Sequence, residues 1–185
     1  MLLLIGLFLL PPIAAWLAWQ YLGQHGVDAT TNAGSLIHPA RPLSMDTLAQ
    51  HAGLDAAELR GRWLYVVFGG DECKDVCKRQ LYLTRQVRIA VNKDTQRVNR
   101  LLLLDRAPDA ALRASLEQDH PDLMIGVAPR AHIDKAFEGD KFGVVGKQFY
   151  LVDPLGNLMM YYDENVNPKG ILRDLQKLLK VSQVG

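Results

Sequence analysis

The sequence predicts an α/β domain in which helices cover both faces of a mixed sheet, preceded by one N-terminal transmembrane helix. Two apolar runs, residues 63–70 and 97–105, are rich in leucine, aromatic and β-branched residues, as buried strands are. Closer to the C-terminus, two apolar strands flank a turn at 153–157, and an amphipathic helix follows them. Because strands alternate with helical segments before this hairpin, we expect one sheet with helices on both sides.

Length and composition indicate one compact domain with appendages. The chain has 185 residues, of which 49% are hydrophobic and 22% are charged, as in globular proteins. Its 21 basic and 20 acidic residues give a formal charge of +1, so nothing in the charge favours nucleic acid as a partner. The sequence has no glycine-rich phosphate loop, His-Glu-x-x-His pair or Gly-x-Ser-x-Gly motif, which disfavours the common nucleotide-binding and hydrolase classes.

The N-terminal segment, residues 2–22, is uncharged and strongly apolar. At about 1.5 Å per residue a helix of this length reaches roughly 31 Å, close to the hydrocarbon thickness of a bilayer. Two adjacent prolines predict a kink, which membrane-spanning helices tolerate. We therefore predict an uncleaved transmembrane anchor over residues 1–22. A cleaved signal peptide is the competing interpretation, but no basic segment precedes the apolar run and no Ala-x-Ala site follows it.

Residues 23–41 are small and polar without a sustained period, so we predict a tether between the membrane and the domain. The two histidines in this segment, His25 and His38, are expected to be solvated rather than to bind metal. The domain itself is predicted over residues 42–182, and it contains no internal repeat.

Within this domain, periodicity and turn residues predict the order of the elements. The expected order is a strand at 63–70, a helix from the cysteines onward, a strand at 97–105, a helix from Pro108–Asp109 to about Gln118, a strand at 122–128, a short helix at 132–137, a hairpin at 147–163, and a closing helix capped by Asn167.

The only two cysteines, Cys73 and Cys77, follow the first predicted strand and two glycines, and they open the next predicted helix. The positive end of a helix dipole favours a thiolate, and nearby lysines act in the same direction, whereas nearby carboxylates oppose it. Residues four apart on a helix have Cα atoms about 6 Å apart, which permits a disulfide and also allows two thiolates to bind one soft metal ion. A pair of small buried hydrophobic residues is the remaining alternative.

Two segments carry a resemblance to a known family. They are "LRGRWLYVVFGGDECKDVCKRQL", residues 59–81, and "QFYLVDPLGNLMMYYDENVNPKGILRDLQKLL", residues 148–179. In these segments, and in its order of anchor, tether and domain, the chain resembles the Sco/SenC family. These proteins are membrane-tethered and have a thioredoxin fold, and they assist assembly of the copper centre of cytochrome c oxidase. The resemblance covers roughly residues 42–180.

The resemblance implies a thioredoxin-like fold, a respiratory oxidase subunit or another assembly factor as partner, and copper binding by Cys73 and Cys77. Two departures from the family pattern stand out. Lysines replace the prolines that usually follow each cysteine, and Val145 stands where the family has its copper-ligand histidine. The nearest histidines upstream, His120 and His132, are expected to be surface or core residues rather than displaced ligands. We therefore expect weak Cu(I) binding and very little Cu(II) binding.

Three functions stay open at this point. The first is assistance in copper-centre assembly. The second is thiol–disulfide exchange, with Cys73, which we expect nearer the exposed helix start, as nucleophile and Cys77, one turn further in, as the resolving thiol. The third is a tethered interaction module in which the two cysteines form a static bridge. A close cysteine pair on a singly anchored domain suits the oxidising outer side of a membrane, so we expect a single-pass protein of the bacterial plasma membrane with its domain on the periplasmic side.

Overall fold

The computed structural model describes residues 2–25, 32–137 and 147–182, and the side chains of residues 8–20 within the first of these segments. The chain divides into two compact units, Met1–Thr31 and Asn32–Gly185. The first unit contains one helix, α1 (Leu2–His25), which has two prolines in its interior. Its apolar side chains between residues 8 and 20 are exposed.

A transmembrane anchor was predicted over residues 1–22, and a helix does cover this segment. Among the residues that the structure describes, none of the helices combines the length and the apolar character needed to cross a membrane. The predicted membrane-spanning helix is therefore not confirmed.

The second unit is built around one six-stranded mixed sheet with the order β1-β6-β5-β2-β3-β4. Strands β2, β3 and β4 pair in parallel, whereas β1, β5 and β6 pair antiparallel. The strands are β1 (Ser35–Pro42), β2 (Trp63–Gly70), β3 (Val98–Leu104), β4 (Leu123–Val127), β5 (Gln148–Val152) and β6 (Asn157–Asp163). The helices are α2 (Met45–Ala52), α3 (Ala56–Leu59), α4 (Asp75–Ala90), α5 (Ala110–Asp119), α6 (Arg130–Phe137) and α7 (Pro168–Val181), with a 3₁₀ turn at Asn92–Arg97.

The edge strand β1 lies in the segment predicted to be a tether. Residues 35–42 pair with β6, and the register shifts between Leu36 and Arg41. Pro39 and Pro42 within this strand have no N–H to donate, and such residues are tolerated only at a sheet edge. These prolines break the alternation of apolar and polar residues that identifies a strand, which explains why the sequence analysis assigned the segment to a tether.

Two hydrophobic clusters lie on opposite faces of the sheet, because successive side chains of a strand point to opposite sides. In β2, Trp63, Tyr65 and Val67 belong to one cluster, together with residues of α4, α5 and α7. Leu64, Val66 and Phe68 belong to the other, together with residues of α2 and α6. The predicted mixed sheet with helices on both faces is thereby confirmed.

The C-terminal hairpin and helix also agree with the prediction. The carboxylate of Asp153 accepts hydrogen bonds from the backbone N–H groups of Leu155 and Asn157, at 2.9 and 2.7 Å, and so closes the turn between β5 and β6. Asn167 caps α7 by accepting from the N–H of Lys169 at 3.0 Å.

Candidate functional site

The turn between β2 and α4 carries both cysteines. Gly70 has a left-handed backbone with φ of 58°, which glycine adopts without steric cost. Cys73 donates its N–H to the carbonyl of Gly69 at 2.9 Å and is also left-handed, with φ of 46°. For a residue with a Cβ this conformation costs about 1–2 kcal/mol. Cys73 lies just before α4 and Cys77 is the third residue of that helix, so only Cys77 is helical as predicted.

Gly69 is required by close packing beneath this turn. A Cβ at Gly69 would lie 2.5 Å from Leu104 Cδ2, 3.1 Å from Leu102 Cδ1 and 3.4 Å from Cys73 Cβ. We expect Gly69→Ala to lower the free energy of unfolding by about 1–3 kcal/mol, because the buried neighbours must move to admit a methyl group. Urea denaturation measures this change. The control is Gln118→Ala on the exposed face of α5, which should stay within about 0.5 kcal/mol; equal effects of the two variants would refute the packing argument.

Cys73 and Cys77 are joined in a disulfide, with their Cα atoms 5.0 Å apart. The disulfide is buried: Cys73 is 0% exposed and Cys77 is 4% exposed. Both belong to the same hydrophobic cluster as Leu81, Leu102 and Leu104. The expectation that Cys73 lies at an exposed helix start is wrong, because the turn folds back over β2 and β3 and packs the sulfur atoms into the core.

Cys73 is among the residues that line a cleft of about 370 Å³, although Cys73 itself is 0% exposed. Helix α4 and helix α5 line its two sides, and Cys73 and His120 complete the lining. Cys77 is not among the lining residues. Of the two cysteines, Cys73 is therefore the one that borders the cleft.

Ion pairs reduce the negative charge beside the cysteines. Glu72 lies 3.3 Å from the ammonium of Lys74, and Arg106 lies 3.7 Å from Glu72 and 3.8 Å from Asp71. Asp71 and Glu72, two of the carboxylates expected to oppose a thiolate, are therefore paired with cations. These pairs are exposed, so solvent screens them and they contribute little to stability.

Behind the cleft, Arg100 of β3 is buried with 1% exposure. Its guanidinium binds both carboxylate oxygens of Asp122 at 3.2 Å and donates to the carbonyl of Leu81 and to the hydroxyl of Thr84. Because Leu81 and Thr84 lie on α4, this cluster ties the helix that carries Cys77 to the sheet. Burial lowers the pKa of Arg100, while Asp122 opposes that shift.

The guanidinium of Arg100 affects the pKa values of both Asp122 and His120. Burial alone raises the pKa of Asp122, but the charge and hydrogen bonds of Arg100, together with Arg88 at 3.3 Å, outweigh burial and lower it. The pKa of His120 is lowered, chiefly by burial and then by Arg100. Arg100 can only donate, so it donates to His120 Nδ1 at 3.4 Å, and the proton of the neutral imidazole sits on Nε2.

The two histidines considered as displaced copper ligands lie in different places. His120 lines the same cleft as Cys73. His132 stacks on His51, with ring centroids 3.8 Å apart, beside a separate cavity against the opposite cluster of the core. Val145, at the position of the expected third ligand, lies outside the described residues. No group of three or more His, Cys, Asp or Glu side chains within the described part of the chain is arranged to hold a metal ion.

The donor set nevertheless suits one soft ion once the disulfide is reduced. Reduction would create two thiolates four residues apart, and Cu(I) accepts sulfur ligands at low coordination number. The oxidised pair offers no thiolate. Any copper bound here would therefore depend on the redox state of Cys73 and Cys77.

Residues 63–182 match the family model described as "Transmembrane-like, thioredoxin-like, C-terminal domain". The match begins at β2 and ends just after α7, so it includes the cysteine turn and the whole hairpin. The chain belongs to this transmembrane-like, thioredoxin-like family. No curated protein matches it significantly in sequence.

Solved structures share the fold of this transmembrane-like, thioredoxin-like protein. Yeast Sco1 superposes with a TM-score of 0.54 at 20% identity, over 68% of this chain and 84% of the yeast chain. Copper-bound ScoI of Arabidopsis thaliana has a TM-score of 0.52 at 17% identity, over 68% and 89% of the two chains. BsSco, a Sco protein studied for a disulfide switch, has a TM-score of 0.52 at 13% identity, over 80% and 93%. The predicted resemblance to Sco proteins is confirmed, and at these identities it establishes the fold.

Some residues of the family domain were not identified from the sequence. Arg100 lies in a predicted buried strand, where a charged residue beside four leucines is itself a signal for a buried ion pair. The cleft position of His120 had no sequence signal, because His120 lies 47 positions from Cys73 and only the packing of α5 on α4 brings them to one cavity.

Proposed function

We propose that this chain is a membrane-tethered thiol–disulfide reductant that assists assembly of the copper centre of cytochrome c oxidase. The observation that carries the proposal is the Cys73–Cys77 disulfide at the start of α4, with Cys73 bordering a cleft. The disulfide lies between the turn after β2 and the first turn of α4, and neither cysteine belongs to a strand. The fold shared with Sco proteins supports the assembly role.

The reaction uses the two cysteines in sequence. In the reduced protein, the thiolate of Cys73 attacks one sulfur of a partner disulfide, which breaks that bond and releases the other partner sulfur as a thiolate. The resulting mixed disulfide is then attacked by the thiolate of Cys77. This forms the Cys73–Cys77 bond, releases the second partner thiolate and leaves the partner reduced by two electrons. The oxidised chain described above is the product state of this cycle.

The position of Cys77 on α4 suits its role as the thiol that resolves the mixed disulfide. As the third residue of the helix, it lies where the partial positive charge of the helix N-terminus stabilises a thiolate. A thiol whose thiolate is stabilised is also a better leaving group when the disulfide is reduced again. Cys73, which borders the cleft, is the residue that carries the mixed disulfide.

The proposal includes the location and the partner. Residues 1–22 are proposed to anchor the chain in the bacterial plasma membrane, residues 23–41 to extend from it, and residues 42–182 to form the domain on the periplasmic side. The partner is a respiratory oxidase subunit or another assembly factor whose cysteines must be reduced before they bind copper. The name of the matched family and the fold shared with a SCO1/SenC lipoprotein of Bacillus anthracis support membrane association.

Copper delivery is the second candidate. It is favoured by the fold shared with yeast and Arabidopsis Sco proteins that were crystallised with copper. In this chain copper would be cargo, held as Cu(I) by the thiolates of Cys73 and Cys77, and the missing histidine at position 145 would weaken Cu(II) binding. A static disulfide in an interaction module is the third alternative.

The reduction potential of the Cys73–Cys77 pair tests the proposal. Equilibration of the full-length chain with dithiothreitol buffers, followed by thiol labelling, measures it. An exchanging pair is expected above about −300 mV, whereas a structural bridge lies below that value.

A trapping experiment tests the roles of the two residues. Cys77→Ser should accumulate a mixed disulfide with its partner, because the resolving thiol is gone, and Cys73→Ser should trap none. The reverse pattern would exchange the two roles. A potential below about −300 mV together with no trapped species in either variant would establish a static bridge instead.

A further inference from the structure

The cleft that borders Cys73 has a distinctive distribution of charge. Helix α4 contributes two cations, Lys78 and Arg85, and helix α5 contributes one carboxylate, Asp119. Within the described residues, neither Lys78 nor Arg85 takes part in an ion pair. Asp119 accepts a hydrogen bond from Ser115 at 3.3 Å and has no cationic partner among those residues. Two positive groups and one negative group are thus available to a ligand.

The remaining walls of the cleft are apolar or neutral. Leu81, Leu112 and Leu116 supply hydrophobic surface, and Tyr82 supplies an exposed aromatic ring. His120 is neutral near pH 7, because burial and Arg100 lower its pKa, and its Nε2–H is a donor. A volume of about 370 Å³ suits a ligand of a few residues.

This pattern fits one class of molecule. A small peptide thiol with two carboxylates and one ammonium group would place its carboxylates at Lys78 and Arg85 and its ammonium at Asp119. Its sulfur would enter the only part of the lining that carries a sulfur atom, Cys73. A neutral thiol would gain none of the three charge contacts.

We propose that the cleft between α4 and α5 binds a small zwitterionic peptide thiol of this class, which reduces the Cys73–Cys77 disulfide. This inference rests on the proposed function, since a thiol reductant must itself be reduced after each cycle. The bound thiol supplies the electrons for that step.

The reduction consumes two molecules of the thiol. The first, as thiolate, attacks the sulfur of Cys73, which forms a mixed disulfide and breaks the Cys73–Cys77 bond, and Cys77 leaves as a thiolate that takes up a proton. The second thiolate attacks the sulfur of the first, which forms the small-molecule disulfide and releases Cys73 as a thiolate. Two electrons pass from the two small thiols to the protein, and two thiols are oxidised to one disulfide.

The test compares two thiols on the full-length chain in detergent. Glutathione is the zwitterionic probe, and 2-mercaptoethanol is the probe without carboxylates or an ammonium group, each used at the same concentration of thiolate. Labelling of Cys73 and Cys77 with time gives the rate constant of reduction. Arg85→Gln and Lys78→Gln are each expected to slow reduction by glutathione about five-fold, the effect of one unit charge near a carboxylate in water, and to slow reduction by 2-mercaptoethanol less, because that thiol has no carboxylate to lose a contact.

The matched control is Arg113→Gln, which removes an exposed cation of α5 that does not line the cleft. It should leave both rate constants unchanged. The effect of removing a cation should also weaken at high ionic strength, and more strongly for glutathione than for 2-mercaptoethanol. If Arg85→Gln and Arg113→Gln slow glutathione equally, or if Arg85→Gln slows both thiols equally, the cleft is not a binding site for this class of thiol.

A second measurement identifies which cysteine forms the mixed disulfide with glutathione. In Cys77→Ser treated with oxidised glutathione, mass spectrometry should show a glutathione adduct on Cys73, and in Cys73→Ser the remaining Cys77 should show none. An adduct on Cys77 alone would overturn the proposal. If dithiothreitol also fails to reduce the disulfide in the unaltered chain, the proposed function fails. If dithiothreitol reduces the disulfide but the variants affect glutathione and 2-mercaptoethanol equally, only the proposal of a thiol-binding cleft fails.

Discussion

Replacement of Asp122 by alanine is expected to lower the free energy of unfolding by about 3–5 kcal/mol, the cost of leaving a buried charge without its partner. Asp122 holds the guanidinium of Arg100, which is 1% exposed, through two contacts at 3.2 Å, and it also binds Arg88 at 3.3 Å. Removing the carboxylate leaves two neighbouring cations, one of them with no access to water. Urea denaturation followed by circular dichroism measures the change.

The control for Asp122→Ala is Asp46→Ala, which breaks an exposed ion pair with Arg60 at 2.6 Å. Such a pair contributes about 0–1 kcal/mol, so the loss in this variant should be small. Asp122→Asn keeps one oxygen acceptor without the charge, so its loss in the free energy of unfolding should lie between those of Asp122→Ala and Asp46→Ala. Equal losses in Asp122→Ala and Asp46→Ala would show that Arg100 does not depend on Asp122.

The pH dependence of the unaltered chain provides an independent check. Since the pKa of Asp122 is lowered in the folded state, its contribution to stability is fully present above the unfolded value of about 3.9 and is lost as pH falls through the folded pKa. The difference in unfolding free energy between the unaltered chain and Asp122→Ala should therefore shrink below about pH 4. A constant difference down to pH 2 would contradict this linkage.

Asp174→Ala is expected to have the second largest effect, a loss of about 2–4 kcal/mol. Asp174 of α7 is 2% exposed and accepts the backbone N–H groups of Ala33 and Gly34, at 2.7 and 3.0 Å. Without the carboxylate, the N–H of the buried Gly34 loses its partner. The carboxylate also adds to the effect of burial in raising the pKa of Tyr162, so removing it should lower that pKa.

Limited proteolysis and urea denaturation would measure the effect of Asp174→Ala. We expect faster cleavage in the segment before β1 as well as the loss of stability, because the carboxylate fixes that segment to α7. Asp109→Ala is the control, since it removes an exposed helix cap on α5 and should cost about 1 kcal/mol. An unchanged cleavage rate with full stability would show that the segment is held by the pairing of β1 with β6 alone.

The elements that the sequence predicted are those whose signal is local. Strand β2, the β5–β6 hairpin and α7 each combine an apolar pattern with the appropriate turn or cap residues, and the structure confirms all three. Strand β1 was missed because its prolines remove the alternation, and its place is set by pairing with β6, more than a hundred positions later. Helices α2 and α3 lie in a stretch for which no element was predicted, since short helices give a weak periodic signal.

The candidate site also has features with a local sequence signal and features that depend on distant residues. The cysteine pair was identifiable from its spacing and its position after a strand. The burial of the cysteine pair could not be predicted, because it depends on how the turn packs against β3 and α4. Sequence alone gives no measure of that packing. The ion pairs of Asp71 and Glu72 with Arg106 also join residues from different turns, so the balance of charge around the cysteines could not be settled beforehand.

The left-handed backbone of Cys73 predicts different shapes for the two redox states of the turn. While the disulfide is intact, a residue that carries a side chain is held at φ of 46°, a conformation that it would not choose alone. Reduction removes the covalent part of this constraint, so we expect the main chain of the turn to relax toward the ordinary right-handed or extended regions. A protein that docks against this turn would therefore meet a differently shaped surface before and after electron transfer, and could release the spent form while retaining the active one.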